Sequence, residues 1–272
     1  MGRTQVLVAA MNQVDHSLIK RMNIETDAII GNQCDYNSVE DFEYNGKKIK
    51  YLNFAERGVG LNRNNALMRA DGDILIFADE DEIFVKDYSE IITKAYDEIP
   101  DADAIIFNIK TIGNDVGRRN ITKVSRVCLL NAMNYGAARL SVKNDAVKRK
   151  NMCFHRQFGG GTVFSSGEDT LFIVDLIRKG LKVYVYPVCL ASVDQTNSSW
   201  FEGYTEKYFY DKGALFAAIS KHFGWILCRL VFWKNRKRYN LDGKTYKEYI
   251  KVAKSGFRNY EKGISYQDCV RS

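Results

Sequence analysis

Residues 57–82 of the chain read RGVGLNRNNALMRADGDILIFADEDE, and this stretch decides the fold. Asn62–Ala70 has the apolar spacing typical of a helix, and the Asp-Gly-Asp sequence at 71–73 ends it. The apolar run Ile74–Phe77 follows, which is typical of a buried strand, and four acidic residues stand at 79–82. A helix, a turn and a buried strand in succession indicate an α/β unit.

The same alternation extends over most of the chain. Further strands are predicted at Gln5–Ala10, Asp27–Gly31, Lys48–Asn53, Ala104–Asn108 and Lys182–Val188. Further helices are predicted at Tyr88–Ile99, Glu168–Gly180 and Phe201–Ile219, whereas residues 110–157 show a weaker pattern. We therefore expect an α/β fold with a Rossmann-like, mostly parallel central sheet flanked by helices. We assign residues 1–220 to this domain and 221–272 to a basic, helical C-terminal extension.

The positive charge is concentrated in that extension. The chain has a net charge of +7, but residues 221–272 hold 13 basic and 4 acidic residues and the remainder is close to neutral. The apolar segment Phe223–Trp233 is too short to span a bilayer, and four basic residues follow it within 234–238. Two interpretations are equally favoured: the segment lies on an anionic membrane surface, or it packs on the body with its basic end in solvent. A nucleic-acid-binding patch is a third possibility, but the segment has no recognised binding motif.

Several protein classes are disfavoured by the sequence. The 6 cysteines are scattered without a CxxC pair, so neither a zinc site nor a disulfide framework is predicted. No apolar stretch approaches the length of a membrane span, and the N-terminus lacks a signal-peptide pattern, which predicts a cytoplasmic protein. No phosphate-binding loop of the ATPase type and no nucleic-acid-binding motif is present.

The acidic cluster has the position of a ligand site. In open α/β sheets, ligands bind beyond the carboxyl ends of the strands, where Asp79 and Asp81 stand. Two carboxylates on one turn can hold a hard divalent cation that also binds phosphate oxygens. The alternative is a solvated turn with acids near a helix N-terminus.

Taken whole, residues 57–82 resemble the family-2 glycosyltransferases of the GT-A fold, bacterial polysaccharide-biosynthesis type. The shared pattern is a glycine, a helix bearing Arg-Asn, an Ala-x-Gly stop, an apolar strand and D-x-D. Gly159–Gly161 resembles the family's acceptor-side loop, and Ser165–Thr170 resembles its E-D motif at a helix start. Val188–Trp200 is similar to the segment after the following strand. The likeness covers roughly residues 4–215 and leaves the basic extension outside.

The resemblance implies an inverting, divalent-metal-dependent hexosyltransferase. It would move a sugar from a UDP-sugar to a saccharide acceptor, lipid-linked, in cell-surface polysaccharide synthesis, with Mn²⁺ or Mg²⁺ as the cofactor. We expect it in the cytoplasm, peripheral at the inner face of the cell membrane, and the sequence allows a homo-oligomer. Two alternatives are a sugar nucleotidyltransferase, which needs a Gly-rich basic loop that residues 12–15 lack, and a non-catalytic membrane-surface adaptor.

The resemblance also implies roles for particular carboxylates. Asp79 and Asp81 would bind the metal, and Asp79 would also lie near the ribose. Asp194 would be a third metal ligand, at a position where related enzymes often have histidine. Asp169 would be the general base that deprotonates the acceptor, and Glu168 would orient the acceptor. The alternative for Glu168 and Asp169 is an ordinary helix start, which favours acids in its first turn.

Nucleotide contacts are implied for three further residues. Asp35 resembles the carboxylate that accepts from the uracil N3–H, and Asn12 follows the first strand at the nucleotide edge. Arg63 would bind the diphosphate or the base, with a surface arginine on an amphipathic helix as the alternative. Glu80 is expected to face solvent. Trp200 and Phe201 form either an aromatic platform for an acceptor sugar or part of the core.

Overall fold

The structure is a computed structural model that describes residues 2–112, 120–194 and 203–271. The strands in this part of the chain are β1 Thr4–Met11, β2 Asp27–Gln33, β3 Ser38–Tyr44, β4 Lys47–Phe54, β5 Ile74–Asp79, β6 Glu82–Phe84, β7 Ala104–Ile112, β8 Ser125–Arg126, β9 Leu140–Lys143 and β10 Val183–Asp194. The α-helices are α1 Ser17–Arg21, α2 Val59–Arg69, α3 Tyr88–Glu98, α4 Asn144–Arg149, α5 Glu168–Arg178, α6 Glu206–Ile219, α7 Gly224–Lys234, α8 Gly243–Asn259 and α9 Tyr266–Arg271. Short 3₁₀ helices lie at Ala132–Asn134 and Tyr260–Lys262.

All of these strands belong to one sheet, in the order β3-β4-β2-β1-β5-β9-β7-β10-β6, with β8 paired to β10. The Rossmann-like expectation holds in the parallel block β4-β2-β1-β5. Beyond it the sheet is mixed, because β9 inserts between β5 and β7 and is antiparallel to both. The α/β fold is confirmed. The sheet contains more antiparallel strand pairs than a mostly parallel sheet would.

Both faces of the sheet are buried, because consecutive side chains of a strand point to opposite sides. In β1, Val6 and Val8 join the apolar cluster that includes side chains of α1 and α3. Leu7, between them, joins the cluster that includes side chains of α2, α4 and α5. The predicted strands and helices are confirmed, with boundaries that shift by up to about six residues. The first residues of the helix predicted at Phe201–Ile219 lie outside the described part of the chain, where the helix begins at Glu206.

The C-terminal helices form a third apolar cluster with α5 and the loop before it. Helices α6 and α8 cross in backbone contact: a Cβ added to Gly213 would lie 1.9 Å from the Ala253 carbonyl oxygen, and one on Gly256 would lie 2.0 Å from that of Tyr210. Tyr260 contacts the body through a 3.1 Å hydrogen bond with His155 Nε2. The basic extension therefore packs on the predicted catalytic domain. In the described part of the chain, no helix combines the length and apolarity that a bilayer span requires.

Candidate active site

The centre of the candidate site is a single guanidinium group. Arg63 lies on α2 with only 3% of its side chain exposed. Its Nη1 donates to Asp169 Oδ1 at 2.6 Å and to Glu168 Oε1 at 3.2 Å, and its Nη2 donates to Asp79 Oδ1 at 2.7 Å. Carboxylates from β5 and from the start of α5, about ninety residues apart, therefore share one cation.

Aromatic side chains pack against the Arg63 guanidinium. The Arg63 Cζ atom lies 5.4 Å from the ring centroid of Phe154. Phe154 stacks on Phe172 with the ring centroids 4.0 Å apart, and Phe77 packs edge-on against both. Asn64 of α2 holds the Phe154 backbone, since its side chain accepts from the Phe154 N–H and donates to the Phe154 carbonyl. These aromatic contacts fix the position of the Arg63 guanidinium.

The start of α5 is shaped by glycines. Gly167 precedes the helix with φ +128°, in the region that L side chains rarely adopt. Gly159 has φ +106°, and a Cβ there would lie 2.5 Å from Val59 Cγ1 and 2.8 Å from the Glu168 carboxyl. The Gly160 carbonyl oxygen accepts from the Val59 N–H, which joins this loop to the start of α2. The glycine loop thus packs tightly over Glu168.

Glu168 is the most deeply buried carboxylate of the cluster, with 11% of its side chain exposed. Burial, reinforced by the negative charge of Asp169, raises the pKa of Glu168 to about 7, although Arg63 acts to lower it. Lys212 of α6 lies in the same electrostatic neighbourhood: burial lowers its pKa, while Glu168 and Asp211 act to raise it. One more cation from the C-terminal helices therefore influences the carboxylate cluster.

The loop before α5 is held by α6. Asp211 is buried, and its Oδ2 accepts from both the backbone N–H and the hydroxyl of Ser165, at 3.0 and 2.7 Å, and from Lys207. Because Ser165 stands three residues before Glu168, this anchor controls how α5 begins. The position of the predicted E-D motif thus depends on a helix outside the motif itself.

The acidic turn after β5 is built differently from the expectation. Asp79 has 41% of its side chain exposed, and Asp81 is exposed. The prediction that Glu80 faces solvent is wrong: it is half-buried and accepts from the Met11 N–H at 3.2 Å and from Gln13 Nε2. Burial raises the pKa of Glu80. The physical reason is that the turn after β1 folds against the turn after β5.

The carboxyl ends of β1 and β2 carry the predicted nucleotide contacts. Asn12 is exposed with φ +54°, and its N–H donates to the Gln33 carbonyl oxygen at 2.9 Å. The side chain of Asp35 is 89% exposed and accepts from Arg57 Nη2 at 2.6 Å. Both residues lie at the same edge of the sheet as Asp79, since β1 is hydrogen-bonded to β2 on one side and to β5 on the other.

The structure brings together three of the predicted site residues around Arg63, which are Asp79, Glu168 and Asp169. Arg63 is not the surface arginine of the alternative. Both of its terminal nitrogens donate hydrogen bonds to carboxylates. This favours a role for Arg63 in positioning those carboxylates rather than in binding the diphosphate directly. The side chain of Asp194 lies outside the described residues, as do Trp200 and Phe201. The assigned chemical roles stay predictions.

The carboxylates near the end of β5 offer some of the oxygen donors that a divalent cation needs. Among the described residues, no three His, Cys, Asp or Glu side chains form a group able to bind a metal ion. Asp79 and Asp81 supply hard oxygen donors on one turn, the chemistry that Mg²⁺ and Mn²⁺ prefer. These two carboxylates would fit part of the ligand set of such a cation, and the described residues do not form a complete protein cage.

Two residues with influence on the site were not predicted from the sequence. Lys212 and Asp211 lie on α6, far from any motif, and nothing in their sequence neighbourhood distinguishes them from residues of an ordinary amphipathic helix. The burial of Asp211 and the half-buried position of Lys212 are visible only after the packing of α6 is known.

Comparison with known proteins agrees with this fold. The family model described as glycosyl transferase family 2 matches residues 19–156, which is half of the chain. The chain therefore belongs to glycosyl transferase family 2, and it is a glycosyltransferase. No curated protein matches it in sequence.

Solved structures show the same GT-A fold. S. aureus TarS 1–349 matches with a TM-score of 0.59 and 15% identity over 98% of this chain and 73% of that one. Its complex with UDP-GlcNAc matches with a TM-score of 0.60 and 15% identity over 98% and 74% of the two chains. The complex with UDP matches with a TM-score of 0.60 and 14% identity over 97% and 93%.

Proposed function

We propose that the protein transfers a sugar from a UDP-sugar to a saccharide acceptor with inversion at the anomeric carbon, assisted by Mn²⁺ or Mg²⁺. The observation that carries this proposal is the shared ion pair of Asp79 and Asp169 with Arg63. This ion pair supports a single cleft in which Asp79 would lie on the donor side and Asp169 on the acceptor side of the reacting carbon. The UDP and UDP-GlcNAc complexes of S. aureus TarS, which has the same fold, support UDP as the nucleotide.

Asp169 is the proposed general base. Its side chain is 28% exposed, so it is accessible to an acceptor while Arg63 fixes its orientation through Oδ1. The acceptor oxygen forms a bond to the anomeric carbon, the bond from that carbon to the diphosphate oxygen breaks, and the acceptor proton passes to Asp169. Glu168, buried next to it, is proposed to orient the acceptor. A single displacement of this kind converts an α-linked donor into a β-linked product.

Donor binding is proposed at the carboxyl ends of β1, β2 and β5. Asp35 would accept from the uracil N3–H, and Asn12 would contact the edge of the nucleotide; the exposure of both leaves room for a ligand. Asp79 and Asp81 would hold the metal, and Asp194 is proposed as a third ligand. When bound, the cation would neutralise the charge of the leaving diphosphate. The acceptor is proposed to be a lipid-linked saccharide of cell-surface polysaccharide synthesis, at the inner face of the cell membrane.

A screen of UDP-sugars for UDP release tests the donor class. With the donor found in that screen, Asp169→Asn is expected to abolish transfer while UDP binding persists. Asp175→Asn, on the same helix, serves as the matched control. Wild-type turnover by Asp169→Asn would remove this residue from the proposed role.

The metal site is tested separately by calorimetry. Asp81→Ala is expected to weaken UDP binding in the presence of Mn²⁺, because one of the two carboxylates that would hold the cation is lost. Asp97→Ala, an exposed carboxylate on α3, is the control. Equal UDP affinity with and without Mn²⁺ in the wild-type protein would contradict metal dependence and leave the fold assignment untouched.

A further inference from the structure

Helix α7 has two apolar sides, and only one of them is covered. Cys228 and Phe232 are buried in the third apolar cluster. Four large apolar side chains of the same segment are exposed by 56–67%, which are Phe223, Ile226, Leu230 and Trp233. At about 100° per residue these four fall within an arc of about 80°, opposite the two buried side chains. The exposed side is therefore a continuous stripe along the helix, which we call the α7 stripe.

Basic residues border the α7 stripe on both sides. By the same helical geometry, Arg229 lies along one edge of the stripe and Lys234 along the other, and both are exposed. Arg236 and Lys237 follow at the end of the helix, and the Arg236 guanidinium lies 4.9 Å from the Trp233 ring. No carboxylate in the described part of the chain forms an ion pair with these four basic residues. Their positive charge is thus available to a partner.

The dimensions of the stripe favour a lipid surface over a second protein. An 11-residue helix is about 16 Å long and about 10 Å wide, far smaller than the ~800 Å² per partner that a stable protein interface covers. A bilayer interface needs no matching shape. It accepts aromatic and aliphatic side chains at the boundary of the acyl chains and attracts cations that flank them.

We propose that the α7 stripe and its bordering cations dock the protein on an anionic lipid bilayer, with α7 lying in the plane of the interface. The occupant is the negatively charged lipid surface itself. This inference concerns the exposed side of α7, which carries none of the proposed catalytic or donor-binding residues, and it is independent of the proposed transfer reaction. It would place the protein next to an acceptor held in the membrane.

Vesicle sedimentation of the full-length protein tests the proposal. The probe is a phosphatidylcholine vesicle with about 30 mol% phosphatidylglycerol, in about 0.1 M salt, compared with phosphatidylcholine alone. The wild-type protein is expected to bind the anionic vesicles, with blue-shifted tryptophan emission that Trp233→Phe reduces. Binding at about 0.5 M salt should be at least tenfold weaker, since exposed charges are then screened.

Two paired substitutions separate the apolar and the charged contributions. Ile226→Ser with Leu230→Ser is expected to weaken vesicle binding by about tenfold or more, whereas Leu130→Ser, at a side chain that is 86% exposed elsewhere, should not. Arg236→Gln with Lys237→Gln is expected to weaken it by about tenfold or more at low salt. The control with the same loss of charge is Lys251→Gln with Lys254→Gln on the exposed side of α8.

Every outcome bears on the proposal. Absence of wild-type binding to anionic vesicles overturns it, and so does equal loss of binding by the α8 control, which would indicate diffuse attraction to the whole tail. A wild-type dimer that becomes monomeric in Ile226→Ser with Leu230→Ser, without vesicle binding, would assign the stripe to a second copy instead. Thermal melting at the wild-type temperature shows that each variant is folded, and UDP release tests the enzyme separately.

Discussion

Replacing Arg63 with methionine should destabilise the protein strongly and in a pH-dependent way. Methionine keeps much of the apolar contact with Phe154 but removes the only cation that hydrogen-bonds Asp79, Glu168 and Asp169 together in the described structure. Three carboxylates are then left facing one another. Removing one partner of a buried ion pair costs about 3–5 kcal/mol, because the remaining charge stays uncompensated.

The expected magnitude lies at the lower end of that range. Asp79 and Asp169 are 41% and 28% exposed and regain solvation, so most of the cost falls on Glu168, which is 11% exposed. We expect a loss of about 3 kcal/mol near pH 8. For a chain of this size, that corresponds to a melting temperature lower by about 6–12 °C. Arg69→Met, on the exposed end of the same helix, should cost less than about 1 kcal/mol.

The sign of the pH dependence follows from Glu168. The pKa of Glu168 is about 7 in the folded protein, above its reference value of 4.5. The protonated carboxyl therefore contributes stability that is fully present below pH 4.5 and is lost as the pH rises towards about 7. Without Arg63 the folded pKa rises further, and the gap between variant and wild type widens with pH. Thermal melting at pH 5.5 and 8 measures this gap. Equal losses at both pH values, or a loss no larger than that of Arg69→Met, would refute the reasoning.

Two further predictions concern the surroundings of this cluster. Glu168→Gln should flatten the decline of melting temperature between about pH 4.5 and 7, because the amide does not ionise, whereas Glu90→Gln in the exposed first turn of α3 should retain the wild-type slope. A retained slope in Glu168→Gln would contradict this. Gly159→Ala should cost about 1–3 kcal/mol, because its Cβ meets Val59 and Glu168 at a positive φ, while Gly160→Ala meets nothing within 4 Å. Urea unfolding compares the two alanine variants, and equal stability would show that the loop rearranges freely.

The convergence of the carboxylates could be predicted because parallel strands end at a common edge. The apolar run 74–77 and the helix start at Glu168 place Asp79 and Asp169 there once an α/β sheet is assumed. The role of Arg63 could not be read in the same way. Whether a helical arginine points to solvent or into the sheet depends on which side of α2 packs inward, and both sides of this helix carry polar residues.

Other parts of the fold depend on contacts between distant residues. The insertion of β9 between β5 and β7 requires pairing of residues 140–143 with strands that begin at Ile74 and Ala104, and no local periodicity signals it. The prediction that Glu80 faces solvent was wrong for a similar reason, because its burial comes from contacts with Met11 and Gln13 in another turn. Local pattern predicted β1, β2, β4, β5, β7 and β10 but missed β3, β6, β8 and β9. The order of the strands, which local pattern does not give, decides which polar groups become buried.

The C-terminal extension, residues 221–272, supports the site indirectly by packing on α6. Helix α6 carries Asp211, which anchors Ser165 before the E-D motif. Helix α8 covers α6 through close backbone contact at Gly213 and Gly256, and α7 covers it through a similar contact between Gly224 and the Phe216 carbonyl. Removing residues 223–272 would expose the apolar side of α6 and loosen that anchor, so a truncated protein would lose site geometry and membrane contact together. Substitutions on the exposed stripe of α7 leave the covered side intact. They separate the two contributions because one helix faces the protein core on one side and solvent on the other.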